Sequence, residues 1–245
     1  MIPKKIHYCW FGGAEKPEIV VRCMASWKKY MPGYEIIEWN ESNYDIHKSR
    51  FMEQAYEYKK WAFVSDYARF DVLAEYGGIY FDTDVELLKP IPEEILAHRA
   101  FTGFESAGQV SPGLVFAAEP QFPITVEILH QYQKMRFLED GRPCYKTVNN
   151  ITTDLLKNYA EIKPNEFQIV EDLAIYPSSY FCGYDQDIHE VDIQPETISV
   201  HHYASTWKNK SFKTKVQDCL KRYFGIQFYR RLLKVKRKFL GVYSK

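Results

Sequence analysis

The feature that most constrains the fold is a short segment in which a hydrophobic strand ends beside two carboxylates. Residues 76–84 read Tyr-Gly-Gly-Ile-Tyr-Phe-Asp-Thr-Asp. The Gly77-Gly78 pair predicts a turn, and the three residues after it are good strand formers. If the strand continued, Asp82 and Asp84 would point to one face, because side chains alternate with a period of two. Oxygen ligands on one face suit Mg²⁺ or Mn²⁺, so we expect a metal and a diphosphate here.

A helix is predicted directly before this strand. Apolar residues recur at helical spacing over residues 62–76, and Asp66 and Arg69 are neighbours on that helix because they lie three residues apart. One interpretation is an ordinary helix ion pair worth about 0.3 kcal/mol. The other is a ligand contact, since the planar fork of Arg binds phosphate or sugar oxygens at two points.

The order of the predicted elements indicates an α/β fold. Strand and helix patterns alternate, which predicts a largely parallel, twisted sheet with helices on both faces and ligands beyond the carboxyl ends of the strands. Trp10, Trp39 and the segment 82–84 all lie at such ends. The predicted strands are 5–10, 34–39, 79–81, 113–118 and 198–202, and the predicted helices are 17–30, 51–58, 62–76, 123–137 and 147–159.

Length and composition agree with one enzyme domain. The 245 residues, 46% of them hydrophobic, are enough to bury a full core. Five cysteines, an odd number without a Cys-x-x-Cys pair, indicate neither a disulfide framework nor a zinc site. No apolar run reaches the roughly 18 residues needed to span a bilayer. We therefore expect a cytoplasmic protein that is soluble or peripheral to a membrane.

The neutral net charge conceals two oppositely charged parts. Residues 208–245 contain thirteen Lys and Arg and one acidic residue, Asp218, which gives a net charge of +12. Residues 1–207 then carry 19 basic and 31 acidic residues, or −12. We expect residues 208–245 to form a tail distinct from the body.

The tail pattern is that of a basic amphipathic helix. Between Ile226 and Leu240, apolar residues recur at helical spacing and basic residues occupy the other side. Such a helix can lie in an anionic membrane surface, and the alternative is a terminal helix packed on the acidic body. No nucleic-acid-binding motif accompanies the charge, so we expect no nucleic-acid partner.

The residues around the two carboxylates resemble a known family. Residues 65–70 together with 76–84 resemble the core of the DXD-containing sugar transferases of glycosyltransferase family 32. Residues 2–10 look like that family's first strand, and residues 201–207 look like its closing His-to-Trp motif. The resemblance implies a GT-A-like, nucleotide-sugar-binding catalytic domain over residues 1–207, followed by the tail of residues 208–245.

The resemblance also implies a metal site with three protein ligands. Asp84 would bind Mn²⁺ or Mg²⁺ directly, and Asp82 would reach the donor ribose and the metal. His202 would be the third ligand, because it matches the His before an aromatic residue in related transferases. His201 is the alternative, since strand alternation lets only one of the pair face the metal.

Other residues would hold the donor. Asp66 would bind sugar hydroxyls, and Arg69 the sugar-phosphate region. Trp10 would stack on the base, and Trp207 would place its indole N–H near the diphosphate. Tyr80 lies beside the site, where alternation with Asp82 permits either a sugar contact or burial.

The function that follows is a metal-dependent retaining glycosyltransferase. It would move a sugar from a nucleotide sugar, expected to be uridine-linked, to a glycan or lipid-linked glycan in cell-envelope or capsular polysaccharide synthesis. The expected location is the inner face of the cell membrane. Glu105 and Asp154 are further candidates for a carboxylate near the anomeric carbon.

Two other functions remain open from the sequence. A membrane-surface binding module without catalysis would keep the basic tail but not need the site residues. A phosphohydrolase with an Asp nucleophile also places Asp-x-Asp after a strand. Its usual continuation has Thr or Val where this chain has Glu86, which disfavours it.

Overall fold

The computed structural model describes residues 1–105, 108–185 and 190–204. The tail of residues 208–245 and Trp207 lie outside the described residues. The described helices are α1 Glu18–Tyr30, α2 Arg50–Glu57, α3 Trp61–Tyr76, α4 Glu93–Leu96, α5 Pro123–Lys134, α6 Val148–Leu156 and α7 Ser178–Phe181. The described strands are β1 Lys5–Cys9, β2 Glu35–Trp39, β3 Gly78–Tyr80, β4 Val85–Leu87, β5 Ala100–Gly103, β6 Phe116–Ala118, β7 Leu138–Glu139, β8 Arg142–Pro143, β9 Gln168–Val170, β10 Leu173–Tyr176, β11 Tyr184–Asp185, β12 Glu190–Val191 and β13 Ser199–His201.

The centre of the molecule is a seven-stranded mixed sheet in the order β2-β1-β3-β6-β5-β10-β9. Strand β1 pairs in parallel with β2 and β3, and β5 pairs in parallel with β10. Strands β6 and β9 run antiparallel to their neighbours. Five strands therefore run in one direction, which confirms the predicted mostly parallel α/β sheet. A separate pair, β4 with β13, lies antiparallel.

Two apolar cores cover the two faces of the sheet. One contains residues from α2, α3, α5 and α6, and the other contains residues from α1, α4 and α7. The alternation of β3 divides its residues between them, because Ile79 belongs to the second core and Tyr80 to the first. Helices therefore lie on both faces, as the alternating sequence pattern predicted.

The turn before β3 fixes where that strand begins. Gly77 and Gly78 have φ angles of +60° and +109°, which L side chains rarely adopt. A Cβ at Gly78 would lie 2.8 Å from the Lys5 carbonyl oxygen and 2.9 Å from Nε2 of His7. Glycine is therefore required for β3 to lie this close to β1.

His7 supports that turn from inside the protein. Its Nε2 lies 2.8 Å from the Gly77 carbonyl, and its Nδ1 accepts a hydrogen bond of 3.1 Å from the Trp39 indole. These contacts require the neutral imidazole with its proton on Nε2. Burial is the main reason that the pKa of His7 falls to about 4, although the bond to Gly77 opposes it.

The sequence pattern located most of the early elements but missed several later ones. Strands β5 and β10, in the middle of the sheet, were not predicted, and neither was β4. The predicted strand 113–118 begins only at Phe116, and the predicted helix 123–137 ends at Lys134. Within the described ranges, no helix is both long and apolar enough to cross a membrane.

Candidate active site

The Asp82–Asp84 segment is a turn rather than a continued strand. Strand β3 ends at Tyr80, and the Val85 amide donates a 3.1 Å hydrogen bond to the Asp82 carbonyl. The Asp82 amide in turn donates to the carbonyl of Gly113 at 3.0 Å. The turn, and not strand alternation, therefore positions the two carboxylates at the carboxyl end of β3.

Asp84 is held by groups from the end of the described chain. Its Oδ1 lies 3.0 Å from Nε2 of His201, and its Oδ2 accepts a 2.8 Å hydrogen bond from the Ala204 amide. Burial is the largest single influence and opposes ionisation, but His201 and the amide together lower the pKa of Asp84 to about 2. Asp84 is therefore a carboxylate at any physiological pH.

The two histidines have different neighbours. His201 contacts Asp84, and its Nδ1 is buried with no hydrogen-bond partner among the described residues. Nε2 of His202 lies 2.7 Å from Oε2 of Glu86 and 3.4 Å from Nη2 of Arg22, and so contacts Glu86 instead of Asp84. The first choice from the sequence, His202, is thus the less suitable residue in this structure, and the alternative, His201, is the better candidate.

Arg69 connects helix α3 to the turn. Its Nη2 lies 2.9 Å from Oδ1 of Asp66 and 3.2 Å from Oδ1 of Asp82. The side chain is 3% exposed, and its guanidinium stacks over the Tyr80 ring at 4.7 Å. Arg69 is therefore not the solvated helix ion pair that the sequence left open, because one guanidinium bridges two carboxylates from different elements.

Burial makes the two carboxylates beside Arg69 harder to ionise. Desolvation raises the pKa of Asp66 to about 7, against the opposing charge of Arg69. The pKa of Asp82 is also raised, by desolvation first and again against Arg69. Arg69 has a raised pKa because the nearby carboxylates outweigh its own desolvation, so it is a fixed cation. Its Nη1 has no hydrogen-bond partner within the described chain.

Asp66 also joins two helices. Besides its contact with Arg69, its carboxylate accepts a hydrogen bond from the Val148 amide in the first turn of α6. A carboxylate at a helix N-terminus satisfies an otherwise unpaired amide and interacts favourably with the helix dipole. Asp66 therefore fixes α6 relative to α3 in addition to any contact with a sugar.

The aromatic candidates are placed differently. Tyr80 is 1% exposed and belongs to the core beneath Arg69, so of its two predicted positions the structure shows burial. Trp10 follows β1, and its indole donates a 2.7 Å hydrogen bond to the carbonyl of Ala14. It is partly exposed at the strand end where a base was predicted to stack.

Two residues that were not assigned a role from the sequence, Tyr203 and Asn149, contact His201 and Glu105 respectively. Tyr203 has a φ of +46°, and its ring centroid lies 4.0 Å from that of His201. Its hydroxyl contacts Sγ of Cys182 at 3.3 Å and is hydrogen-bonded to Glu105. The Glu105 carboxylate also accepts a hydrogen bond from Asn149 of α6. Tyr203 was within a recognised motif, but nothing in the local sequence points to Asn149.

The two further carboxylate candidates, Glu105 and Asp154, lie in different surroundings. Glu105 follows the carboxyl end of β5 and lies near enough to His201 to influence its ionisation. Asp154 lies on α6, 54% exposed, and forms surface ion pairs with Lys146 and Lys157 at 3.2 and 3.5 Å. The contacts of Asp154 thus lie at the surface, and a place near the anomeric carbon stays a prediction for both residues.

The side-chain atoms available as metal ligands suit a hard divalent cation. Asp82 and Asp84 offer carboxylate oxygens, and His201 has a buried ring nitrogen without a partner among the described residues. Across those same residues, no three His, Cys, Asp or Glu side chains are already arranged around one metal position. Binding would therefore require Asp84 or His201 to exchange one of its present contacts.

Comparison with known proteins identifies the class. A family model described as "Glycosyltransferase sugar-binding region containing DXD motif" matches residues 17–102, which include α3, Asp66, Arg69 and both carboxylates of the turn. Residues 17–102 therefore match the sugar-binding region of DXD-motif glycosyltransferases, which confirms the resemblance to a DXD-motif glycosyltransferase family predicted from the sequence.

Two of three individual relatives carry glycosyltransferase names. An uncharacterized glycosyltransferase of Acanthamoeba polyphaga mimivirus is 23% identical over 190 residues, 74% of this chain and 75% of the relative. Inositol phosphoceramide mannosyltransferase 1 of Schizosaccharomyces pombe is 27% identical over 146 residues, 54% of this chain and 43% of the relative. The Subversion of eukaryotic traffic protein A of Legionella pneumophila is 28% identical over 127 residues, 41% of this chain.

The extent of these matches differs widely. The chain spans 20% of the length of the Legionella relative and 43% of the yeast relative. Among solved structures, PaToxG glycosyltransferase aligns with a TM-score of 0.47 at 20% identity, covering 64% of this chain and 68% of its own. The two relatives with glycosyltransferase names support the predicted enzyme class, while donor and acceptor are matters for proposal.

Proposed function

We propose that this chain is a metal-dependent, retaining glycosyltransferase that uses a nucleotide sugar, with a uridine-linked donor the first choice. The observation that carries the proposal is the position of Arg69, whose single guanidinium bridges Asp66 and Asp82 at the carboxyl end of β3. Ligands of open α/β sheets bind beyond such strand ends. The family match covers all three of these residues.

In this proposal, Arg69 is the fixed cation of the donor site. The unpartnered Nη1 of Arg69, which is buried, would donate to the sugar-phosphate part of the donor. Asp66 would accept hydrogen bonds from sugar hydroxyls, and its contact with Val148 would keep it oriented. Asp82 would contact the ribose, and Trp10 would stack on the base.

The metal ligands would be Asp82, Asp84 and His201. The low pKa of Asp84 keeps this residue anionic, so it is ready to bind a cation without losing a proton. A bound Mn²⁺ or Mg²⁺ would supply positive charge to the diphosphate as it leaves the sugar. Trp207, outside the described residues, would donate its indole N–H to the same diphosphate.

The acceptor in this proposal is a glycan or a lipid-linked glycan of the cell envelope or a capsule. The name of the yeast relative, an inositol phosphoceramide mannosyltransferase, describes transfer to a lipid and supports a lipid-linked acceptor. The net charge of +12 over residues 208–245 supports attachment of the tail to an anionic membrane surface. The enzyme would then act peripherally at the inner face of the membrane.

The experiment is a donor panel without acceptor. Purified protein is incubated with UDP-, GDP- and CMP-linked sugars, with Mn²⁺ or with a chelator, and released free sugar is measured. Slow hydrolysis of one donor, abolished by the chelator, is expected. A binding module without catalysis would bind vesicles and hydrolyse none of the donors. An Asp-nucleophile phosphohydrolase would release inorganic phosphate from a phosphate ester instead.

A further inference from the structure

Gly113 lies directly against the Asp82 carboxylate, although it was predicted only as the first residue of a strand. A Cβ at this position would lie 2.2 Å from Oδ2 and 3.0 Å from Cγ of Asp82. It would also lie 3.4 Å from Nη1 of Arg69. A separation of 2.2 Å between carbon and oxygen is far inside van der Waals contact, so any side chain would displace its neighbour.

The usual reason for a glycine does not apply here. The φ angle of Gly113 lies outside the left-handed range, so an L residue could adopt its backbone conformation. The missing side chain matters because of the space that it leaves, and the group that uses this space is a carboxylate of the DXD turn.

The two backbones cannot easily separate to relieve the clash. The Asp82 amide donates to the Gly113 carbonyl at 3.0 Å, and the Leu114 amide donates to the Ser111 carbonyl at 3.1 Å, which closes a turn around Gly113. The Asp82 side chain is 30% exposed and can rotate outward. Adding a methyl group at Gly113 would therefore move the carboxylate and not the main chain.

We propose that Gly113 is a positioning residue that holds the Asp82 carboxylate between itself and Arg69. One carboxylate oxygen, Oδ1, lies 3.2 Å from Nη2 of Arg69. The other, Oδ2, occupies the space that a side chain at Gly113 would fill. With any side chain at position 113, the Asp82 carboxylate rotates outward and loses its contact with Arg69. The role assigned to this orientation, presentation of Asp82 to the donor and its metal, rests on the proposed function.

The first test compares Gly113→Ala with Gly33→Ala. Gly33 is a suitable control because a Cβ there would meet nothing within 4 Å and its φ is also outside the left-handed range. We expect Gly113→Ala to lower kcat/KM for donor hydrolysis by about 100-fold, as expected for a misplacement of about 1 Å. Gly33→Ala should match the wild type, and equal activity of all three proteins would overturn the proposal.

The second test needs neither ligand nor activity. Melting temperatures are measured for the wild type, Gly113→Ala, Asp82→Ala and the double variant, which form a double-mutant cycle. Gly113→Ala should lower the melting temperature by several degrees in the wild type and by much less in Asp82→Ala, where no carboxylate is present. Equal losses in both backgrounds would overturn the proposal.

The cycle also covers failure to fold. If Gly113→Ala does not fold alone, the double variant should fold, and an unfolded double variant would contradict the positioning role. Because the cycle is read from stability, it stands even if no nucleotide sugar is hydrolysed, so failure of the proposed function and failure of this inference give different results.

Discussion

The Nε2 atom of His201 lies 3.0 Å from Oδ1 of Asp84, although the two residues are 117 positions apart in the chain. The contact follows from the pairing of β13 with β4, in which His201 lies opposite Val85, the residue after Asp84. The last described strand thereby closes the site that the DXD turn begins. Strands β4 and β13, distant in sequence, must therefore pair before Asp84 has its partners.

Asp84→Asn should lower donor hydrolysis by at least about 100-fold, as for the loss of a principal electrostatic stabiliser. The substitution keeps the size of the side chain but removes the charge that His201 and the Ala204 amide stabilise. Initial rates at saturating donor and Mn²⁺ measure the effect. Asp172→Asn is the matched control, because Asp172 lies in a surface ion pair with Arg99. Normal Asp84→Asn turnover in the presence of a chelator would show that Asp84 has no role in metal binding.

Asp66→Ala should cripple sugar transfer by about 100-fold while nucleotide diphosphate and Mn²⁺ binding stay within about threefold. The reason is that Asp66 faces Arg69 and Val148 and is not in the turn that offers metal ligands. Calorimetric titration with UDP and Mn²⁺ measures the binding. Asp66→Asn keeps the size of the side chain and an oxygen acceptor, and it separates charge from packing. A parallel loss of diphosphate affinity would instead place Asp66 among the metal ligands.

The contribution of His7 to stability should decline as the pH falls from about 6.5 towards 4. Its folded-state pKa is lowered to about 4, so within this window the unfolded chain binds the proton and the folded protein does not. The full shift corresponds to about 3 kcal/mol as an order of magnitude. Asp66, with its raised pKa of about 7, acts in the opposite direction between about pH 4 and 7.

The two effects are separated by comparing urea unfolding of the wild type and His7→Gln across this range. Gln can donate to the Gly77 carbonyl but does not titrate. The unfolding free energy of the wild type minus that of His7→Gln should decrease as the pH falls. A difference that does not change with pH would mean that His7 is not held in its neutral form.

Removing the residues after Phe224 should abolish binding to anionic vesicles and spare donor hydrolysis. The deletion removes seven basic residues, each worth about 1 kcal/mol near an anionic surface before losses from ordering. The residues removed are Arg230, Arg231, Lys234, Lys236, Arg237, Lys238 and Lys245. Co-sedimentation with vesicles measures binding, and that of the full chain should weaken with salt. A truncated protein that still sediments, or that unfolds, would support a tail packed on the body.

The sequence predicted the elements whose signals are local. Helix α3 and strand β3 have clear periodicity and a Gly-Gly turn between them, and the structure places both within a residue or two of the prediction. Strands β5 and β10 are four residues each, buried throughout, and show no alternation between apolar and polar residues. Their place in the sheet depends on tertiary pairing, which local patterns do not reveal.

The same distinction between local signals and tertiary pairing explains which site residues were predicted from the sequence. Asp66, Arg69, Asp82 and Asp84 were predicted as a group because they lie within 19 consecutive residues of one helix, turn and strand. The choice between His201 and His202 depended on where β13 ends. The position of Glu105 depended on β5, a strand that was not predicted. The role of Gly113 could not be predicted, since it is defined only by the distance to a side chain 31 positions earlier.

The most direct test of the central claim is thermal unfolding with nucleotide sugars, each measured with Mn²⁺ and with a chelator, for the wild type and Asp84→Asn. A donor at 100 times its dissociation constant stabilises the folded state by about 2.7 kcal/mol, a rise of roughly 5 to 10 °C for a chain of this length. We predict such a rise for at least one donor, only with Mn²⁺ and only in the wild type. A rise of equal size in Asp84→Asn, or in the presence of the chelator, would contradict the proposal that the DXD turn holds the donor through a metal.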